Sequence, residues 1–358
     1  MKFLHVVGNR PQFVKLSPFL KATAAYPEEI QNIIVHTGQH YDNAMSSVFF
    51  KDLELPDPDY NLGAGSGTHG VQTGKMLMKL DPILAKETPD VVIVYGDTNS
   101  TLAGALAASK LHIQLAHVES GVREYIWRPE EINRVATDYC ANFCFTPMES
   151  AIDNLINENI ARSKIYHTGD ITYDAFLQNK DKAIDDIVVR NGDWILWTMH
   201  RAETVEISNR LDSIVAAMLK TDMEIIFPVH PRTKMALKKY GWYYEVNTAK
   251  HIHVIEPVGY LQFLALLLQS KMVVTDSSGV LKEAFYAGKM CVTIDETTEY
   301  VAELFDTGYN ILAGFETDKI LNCIDEMHEY SFDSFLDSPF GKGNAAENMV
   351  KILMEKLS

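Results

Sequence analysis

The sequence predicts an α/β fold built twice, as two Rossmann-like halves in tandem. Three observations carry this reading. Short apolar runs alternate with longer amphipathic stretches, the pattern of parallel strands covered by helices. The alternation starts afresh after a charged, exposed segment at 179–190. The length of 358 residues suits two domains of ordinary size.

The elements follow in order. In the first half the apolar runs place strands at 3–7, 33–36, 91–95, 114–118 and 164–167. Between them, apolar residues recur at helical spacing over 13–25, 71–86, 102–110 and 131–140. In the second half the strands fall at 194–198, 224–229, 251–255, 272–275 and 291–294, with helices at 210–219, 260–268 and 280–287. The boundary is placed near Tyr173, giving domains 1–173 and 174–343. A lone amphipathic helix, 344–357, follows the Gly341-Lys342-Gly343 break and is expected to pack back on the first domain. In such folds ligands bind at the carboxyl ends of the strands, here expected in the cleft between the halves. A motif therefore counts when it follows a strand end.

Composition narrows the function. The chain is 47% hydrophobic and 22% charged, enough to fill sizeable cores. A formal net charge of −16 argues against a general binder of nucleic acid or anionic membrane, because its long-range field repels polyanions. A phosphate-bearing ligand must then be held by local groups: a few Arg and Lys, backbone N–H donors and helix N-termini. Cys140, Cys144, Cys291 and Cys323 lack the spacing of a zinc site and read as small buried residues of a reducing compartment. The first residues do not form a signal peptide, and no apolar run approaches the roughly 20 residues of a membrane span. A cytoplasmic protein is expected.

Six strand ends carry candidate chemistry. Gly8-Asn9-Arg10-Pro11-Gln12-Phe13-Val14-Lys15 follows the first strand and opens a helix, with Arg10 and Lys15 as cations for an anion there. Asp97 follows the 91–95 strand, where it could equally cap a helix. Glu119 follows the 114–118 strand, and the helix after it begins Pro129-Glu130-Glu131 with Arg134 four residues beyond Glu130. Glu130 and Arg134 could be a surface ion pair only. Yet Asp97, Glu119 and Glu130 with Lys15 and Arg134 would converge, and gathered carboxylates are what acid/base chemistry uses. In the second half His200-Arg201 and His230-Pro231-Arg232 follow successive strands, without metal-ligand spacing. Ser277-Ser278-Gly279 after the 272–275 strand exposes backbone donors for a diphosphate, and Glu283 one turn later could accept ribose hydroxyls.

Taken together the chain resembles the non-hydrolysing UDP-N-acetylglucosamine 2-epimerase family, from Val7 to about Gly314. The matching stretches keep their order: Gly8-x-Arg10-Pro11…Lys15, Thr37-Gly38-Gln39-His40, Gly96-Asp97-Thr98, His117-Val118-Glu119-x-Gly121, Pro129-Glu130-Glu131-x-Asn133-Arg134, His200-Arg201, Pro228-Val229-His230, Thr275-Asp276-Ser277 and Thr298-Glu299. The resemblance implies a fold like the GT-B glycosyltransferases, a homodimer, and UDP held mainly by the second domain. It implies C2 epimerisation of a UDP-N-acetyl sugar by anti-elimination of UDP to a 2-acetamidoglucal and re-addition, serving cell-surface polysaccharide synthesis. Asp97, Glu119 and Glu130 would be the acid/base carboxylates, completed by Lys15, Arg134 and His200. Arg10, Ser277, Ser278 and Gly279 would hold the diphosphate, Glu283 the ribose, and His230 would belong to the UDP site. No redox cofactor or metal is implied: C2 deprotonation and loss of a diphosphate need a base and fixed positive charge.

The sequence also departs from the family pattern. Gln12 stands where many members have Glu, and Ser278 replaces a usual glycine. Asp295 occupies the place of a frequent arginine, where an acid is expected to repel a diphosphate. Gly65-Ser66-Gly67-Thr68-His69-Gly70 with His230-Pro231-Arg232-Thr233 resembles the branch containing UDP-diacetamido-uronate epimerases. The alternatives are a hydrolysing relative that releases N-acetylmannosamine and UDP, a GT-B glycosyltransferase, and a non-enzymatic nucleotide-sugar sensor.

Overall fold

Two parallel sheets, each with a reversal of strand order at its centre, organise the chain. The computed structural model describes residues 1–39, 43–183, 192–330 and 338–358. His40 of the Thr37–His40 motif and most of the charged segment 179–190 lie outside them. The chain divides into two compact units, Met1–Gln178 with Asp337–Ser358, and Asn179–Leu336.

The first unit holds β1 (Lys2–Val7), β2 (Gln31–His36), β3 (Tyr60–Asn61), β4 (Val91–Tyr95), β5 (Gln114–Val118), β6 (Phe143–Thr146) and β7 (Ile165–His167). They pair in parallel in the order β3-β2-β1-β4-β5-β6-β7. All of Val91–Tyr95 is buried; a central parallel strand covered on both faces is apolar throughout, not alternating. The helix Asn99–Lys110 follows β4, its Ala103, Ala105, Ala107 and Ala108 buried. Small side chains let that helix lie close on the sheet.

The second unit repeats the scheme with β8 (Trp194–Thr198), β9 (Glu224–Pro228), β10 (Ile252–Ile255), β11 (Met272–Thr275), β12 (Met290–Thr293) and β13 (Asn310–Leu312). Their order is β10-β9-β8-β11-β12-β13, again parallel. Trp197, Phe227, Leu211, Met218 and Ile324 belong to its core. In each sheet the winding reverses once, between β1 and β4 and between β8 and β11. There the loops diverge and leave the crevice in which such sheets hold ligands.

The division between units falls at Gln178/Asn179, near the expected Tyr173 and at the end of the helix Ile171–Asn179 that spans it. Within it Asp174 accepts hydrogen bonds from the backbone N–H groups of Ala345 (3.1 Å) and Ala346 (2.8 Å), capping the last helix, Ala345–Leu357. That helix packs against the helix Arg10–Thr23. Return of the chain to the first unit begins before residue 344: Asp170 donates its N–H to Phe340 O at 2.8 Å.

All four cysteines are free thiols, and burial pushes those of Cys144 and Cys291 up to about 12. Among the described residues no helix is long and apolar enough to cross a membrane.

Candidate active site

At the β1/β4 reversal of the first unit, the turn after β1 is tied to the turn after β4 by Gln12. Its Oε1 accepts the Gly8 N–H (2.7 Å), while its Nε2 donates to Tyr95 O (2.8 Å) and to the hydroxyls of Thr98 and Thr101 (3.0 Å each). An amide suits this place, since one end must accept and the other donate; a carboxylate would face the Tyr95 carbonyl with another acceptor. Gly8 has no room for a side chain: a Cβ there would lie 2.1 Å from Thr37 Oγ1 and 2.2 Å from Ser100 Oγ.

Lys15, one turn into the following helix, donates from Nζ to Glu119 Oε2, both side chains nearly buried. Glu119 follows β5 with φ of 72°, in the left-handed region that costs a non-glycine residue about 1–2 kcal/mol. Gly96 lies over the pair. A Cβ on it would come 3.2 Å from Lys15 Nζ and 3.3 Å from Glu119 Oε2.

Asp97, the next residue, accepts from Arg134 Nη2 at 2.6 Å, and its carbonyl accepts from Asn133 Nδ2 at 2.9 Å. The surface pair of Glu130 with Arg134 that their spacing allows is not the one made. Arg134 Nη1 donates instead to Glu131 Oε2 at 3.1 Å, three residues away, and Glu131 also accepts the N–H groups of Glu124 and Tyr125. Glu130 stands exposed on the first helical turn, outside both the Lys15–Glu119 and the Asp97–Arg134 pairs. The structure thus joins four of the six predicted first-unit residues, Lys15, Glu119, Asp97 and Arg134, into two ion pairs and leaves Glu130 facing solvent. Arg10 opens the helix Arg10–Thr23 with its guanidinium 5.4 Å over the Phe49 ring.

Sequence reasoning did not single out Asp138, a fully buried acid on the helix Pro129–Cys140. It accepts from His117 Nδ1 (2.6 Å), Ser120 Oγ, Gly121 N (3.1 Å) and Arg123 Nη2 (2.7 Å). Burial alone would raise its pKa, but the charges and donors of His117, Arg123 and Ser120 outweigh burial and bring it down to about 2. The available signal was the helix itself. Asn133, Arg134, Thr137 and Asp138 form its buried stripe, whereas Ile132 and Tyr139 are exposed, the inverse of an ordinary amphipathic helix.

In the second unit the β8/β11 reversal is closed by Asp276. Its carboxylate accepts the N–H groups of His200 (3.0 and 2.9 Å) and Arg201 (2.8 Å). The rings of His200 and His230 lie 5.4 Å apart, His230 capping the helix Pro231–Tyr240 through Nδ1. Arg201 projects to two partners, Asp295 Oδ2 at 2.7 Å through Nη1 and Ser278 Oγ through Nη2. The repulsion expected from Asp295 is therefore offset at its source, because a guanidinium neutralises it. Ser277 caps the helix Ser278–Tyr286, Gly279 is exposed beside it, and a Cβ on Gly279 would meet Ser277 Oγ at 3.9 Å, without a clash. Glu283 is buried next to Tyr260: burial raises the Tyr260 phenol well above its ordinary value, and the Glu283 charge adds to the rise. Among the described residues no three His, Cys, Asp or Glu side chains are grouped as a metal ion would need.

The geometry sets carboxylates next to fixed cations in one unit, and an Arg, two Ser and a helix N-terminus in the other. Comparison with known proteins agrees with that chemistry. The sequence pattern of UDP-N-acetylglucosamine 2-epimerase matches residues 22–354. A UDP-N-acetylglucosamine 2-epimerase homolog of Methanococcus maripaludis is 46% identical over 99% of both chains. The UDP-2,3-diacetamido-2,3-dideoxy-D-glucuronate 2-epimerase of Pseudomonas aeruginosa is 47% identical over 90% of both. The crystal structure of Methanocaldococcus jannaschii UDP-GlcNAc 2-epimerase in complex with UDP-GlcNAc and UDP superposes with a TM-score of 0.93, at 43% identity, over 99% of this chain and 100% of that one.

Proposed function

The chain belongs to the UDP-N-acetylglucosamine 2-epimerase family, and from that premise we propose that it inverts C2 of a UDP-linked 2-acetamido sugar without net hydrolysis. Its fold, two Rossmann-like units, is GT-B-like. The observation that carries the reading is Glu119, an acid held with left-handed backbone against Lys15 beneath Gly96.

The reaction runs in two balanced halves. A carboxylate takes the C2 proton while the C1–O bond breaks, and UDP leaves with the bonding electrons to give a C1=C2 alkene. A UDP oxygen then attacks C1 as a proton is delivered to the opposite face of C2. Glu119 and Asp97 are the groups that exchange these protons, with Glu130 as the third carboxylate. Lys15 and Arg134 fix the first two in place. In the second unit Arg201, Ser277, Ser278 and the N–H groups of the helix Ser278–Tyr286 face the diphosphate, whose departing charge such preformed donors stabilise. His200 and His230 border it, and Glu283 takes the ribose. A cytoplasmic homodimer belongs to the same proposal.

Turnover in D2O with UDP-GlcNAc, and separately with UDP-2,3-diacetamido-glucuronate, tests the reading. NMR should find deuterium at C2 of an intact UDP-sugar product for at least one of them. Glu119→Gln should slow that exchange by about 10²–10⁴-fold, the usual cost of losing a general acid or base, with UDP affinity little changed. Retention of the original C2 hydrogen, or free sugar plus UDP as end products, would overturn the proposal.

A further inference from the structure

We propose that Asp138 is a positioning residue for Glu119, holding the backbone on both sides of it so that its carboxylate has one place to go, against Lys15. The inference rests on the reading of Glu119 as an acid/base group.

The donors that converge on Asp138 come from positions 117, 120, 121 and 123, which bracket residue 119 without including it. Two of those bonds precede any choice of side-chain rotamer by Glu119. They pin the Ser120 side chain and the Gly121 N–H directly after a residue that stands at φ of 72°. Left alone, a non-glycine residue would relax from that conformation. The bonds to Asp138 oppose the relaxation.

His117 carries the constraint across the sheet. Its Nδ1 meets Asp138 Oδ1, and its Nε2 lies 2.8 Å from Gly96 O, all fully buried. Gly96 in turn forms the ceiling over Lys15 Nζ and Glu119 Oε2. One imidazole thus links the carboxylate that fixes the Glu119 backbone to the peptide that bounds its side chain. Arg123, shared between Asp138 (2.7 Å) and Glu158 (2.7 and 2.8 Å), balances the buried charge.

A buried ion network is poor evidence for stability, since apolar packing of the same volume often does as well or better. Geometry is what this one provides. Errors of about 1 Å at a reacting group can cost about 10²-fold in rate.

Asp138→Asn would strand Arg123 in the interior, so the informative variants are Ser120→Ala, which removes one donor, and His117→Asn, which keeps a donor near Asp138 but cannot reach Gly96. Both are to be compared with the parent and with Glu119→Gln for thermal unfolding, UDP affinity, kcat, KM and the pH–rate profile. The expected result is folded protein, UDP affinity within about twofold, KM little changed, and kcat reduced about 10–100-fold for His117→Asn and less for Ser120→Ala, with a displaced pH–rate profile. If both fold and keep the parent's kcat and pH profile while Glu119→Gln is slow, the Asp138 cluster is structural only and the inference is overturned. If Glu119→Gln itself turns over normally, it is the functional reading of Glu119 that fails.

Discussion

At the scale of single residues, the informative case is Arg201. Its guanidinium is shared between Asp295 and Ser278 at the mouth of a helix N-terminus, so Asp295 and an incoming diphosphate compete for the same cation. Asp295→Asn should then tighten UDP binding, because a competing negative charge is removed, while lowering the melting temperature through the lost buried partner. Arg201→Ala should weaken UDP binding by about 1.5–3 kcal/mol, the scale of charge-assisted hydrogen bonds. Calorimetry with UDP checks both, and unchanged affinity in both variants would remove Arg201 from the site. The sequence made Lys15, Asp97, Glu119 and Arg134 visible, since each follows a strand end or faces one from the next helix. It left open which groups Asp295 and Arg134 meet. Arg201 reaches Asp295 by tertiary folding from the turn after β8, which leaves no mark on the local pattern, whereas Glu131 and Glu130 are neighbours on one helix and spacing alone does not choose between them.

At the scale of elements, the turn from β1 into the helix Arg10–Thr23 is the tightest joint of the first unit. Thr37 and Ser100, whose hydroxyls bond each other at 2.8 Å, close over Gly8 from two different loops. Gly8→Ala should cost about 1–3 kcal/mol by overpacking, plus about 1 kcal/mol if that hydrogen bond parts, and the melting temperature should fall by several degrees; an unshifted melt would mean the loops yield freely. Elements of this kind were legible unevenly. Strands β4, β5, β8 and β11 match the apolar runs residue for residue, whereas β3, β6 and β13, at two, four and three residues, were not singled out. Length alone does not explain the difference, since β11 with four residues and β7 with three lie in runs that the pattern did show. The helix Pro129–Cys140 was found, but its buried polar stripe could only be read once the sheet was in place.

At the scale of the whole molecule, the first unit is closed by Asp174, which caps the last helix from about 170 positions upstream. Burial is the main cause that raises the Asp174 pKa to about 6; the Ala346 and Ala345 N–H groups pull it down, while Asp170 and Glu347 push it up. A raised native value means the folded chain binds this proton more tightly than the unfolded chain. Its linked stability is therefore complete below the ordinary value of 3.8 and is lost as pH rises through about 6. Asp138 acts in the opposite sense: with a native value of about 2, its contribution is present above 3.8 and lost as pH falls toward 2. Asp174→Asn should gain stability relative to the parent between about pH 4 and 7, by an amount on the order of 2–3 kcal/mol. Thermal melts across that range check it, and parallel pH curves for the two proteins would count against the assignment.

The discontinuity of the first unit also has a meaning in time. A ribosome completes the stretch Asn179–Leu336 before the helix Ala345–Leu357 exists. At about 5–20 residues per second, the half carrying Glu119 and Asp97 waits on the order of 10–40 s after its first 178 residues are made. Throughout that wait the surface of the helix Arg10–Thr23 that receives the last helix is bare. The second unit can mature on its own schedule, while the first is finished only once the helix Ala345–Leu357 has been made. A premature stop within the last helix would therefore spare the former and leave the latter open.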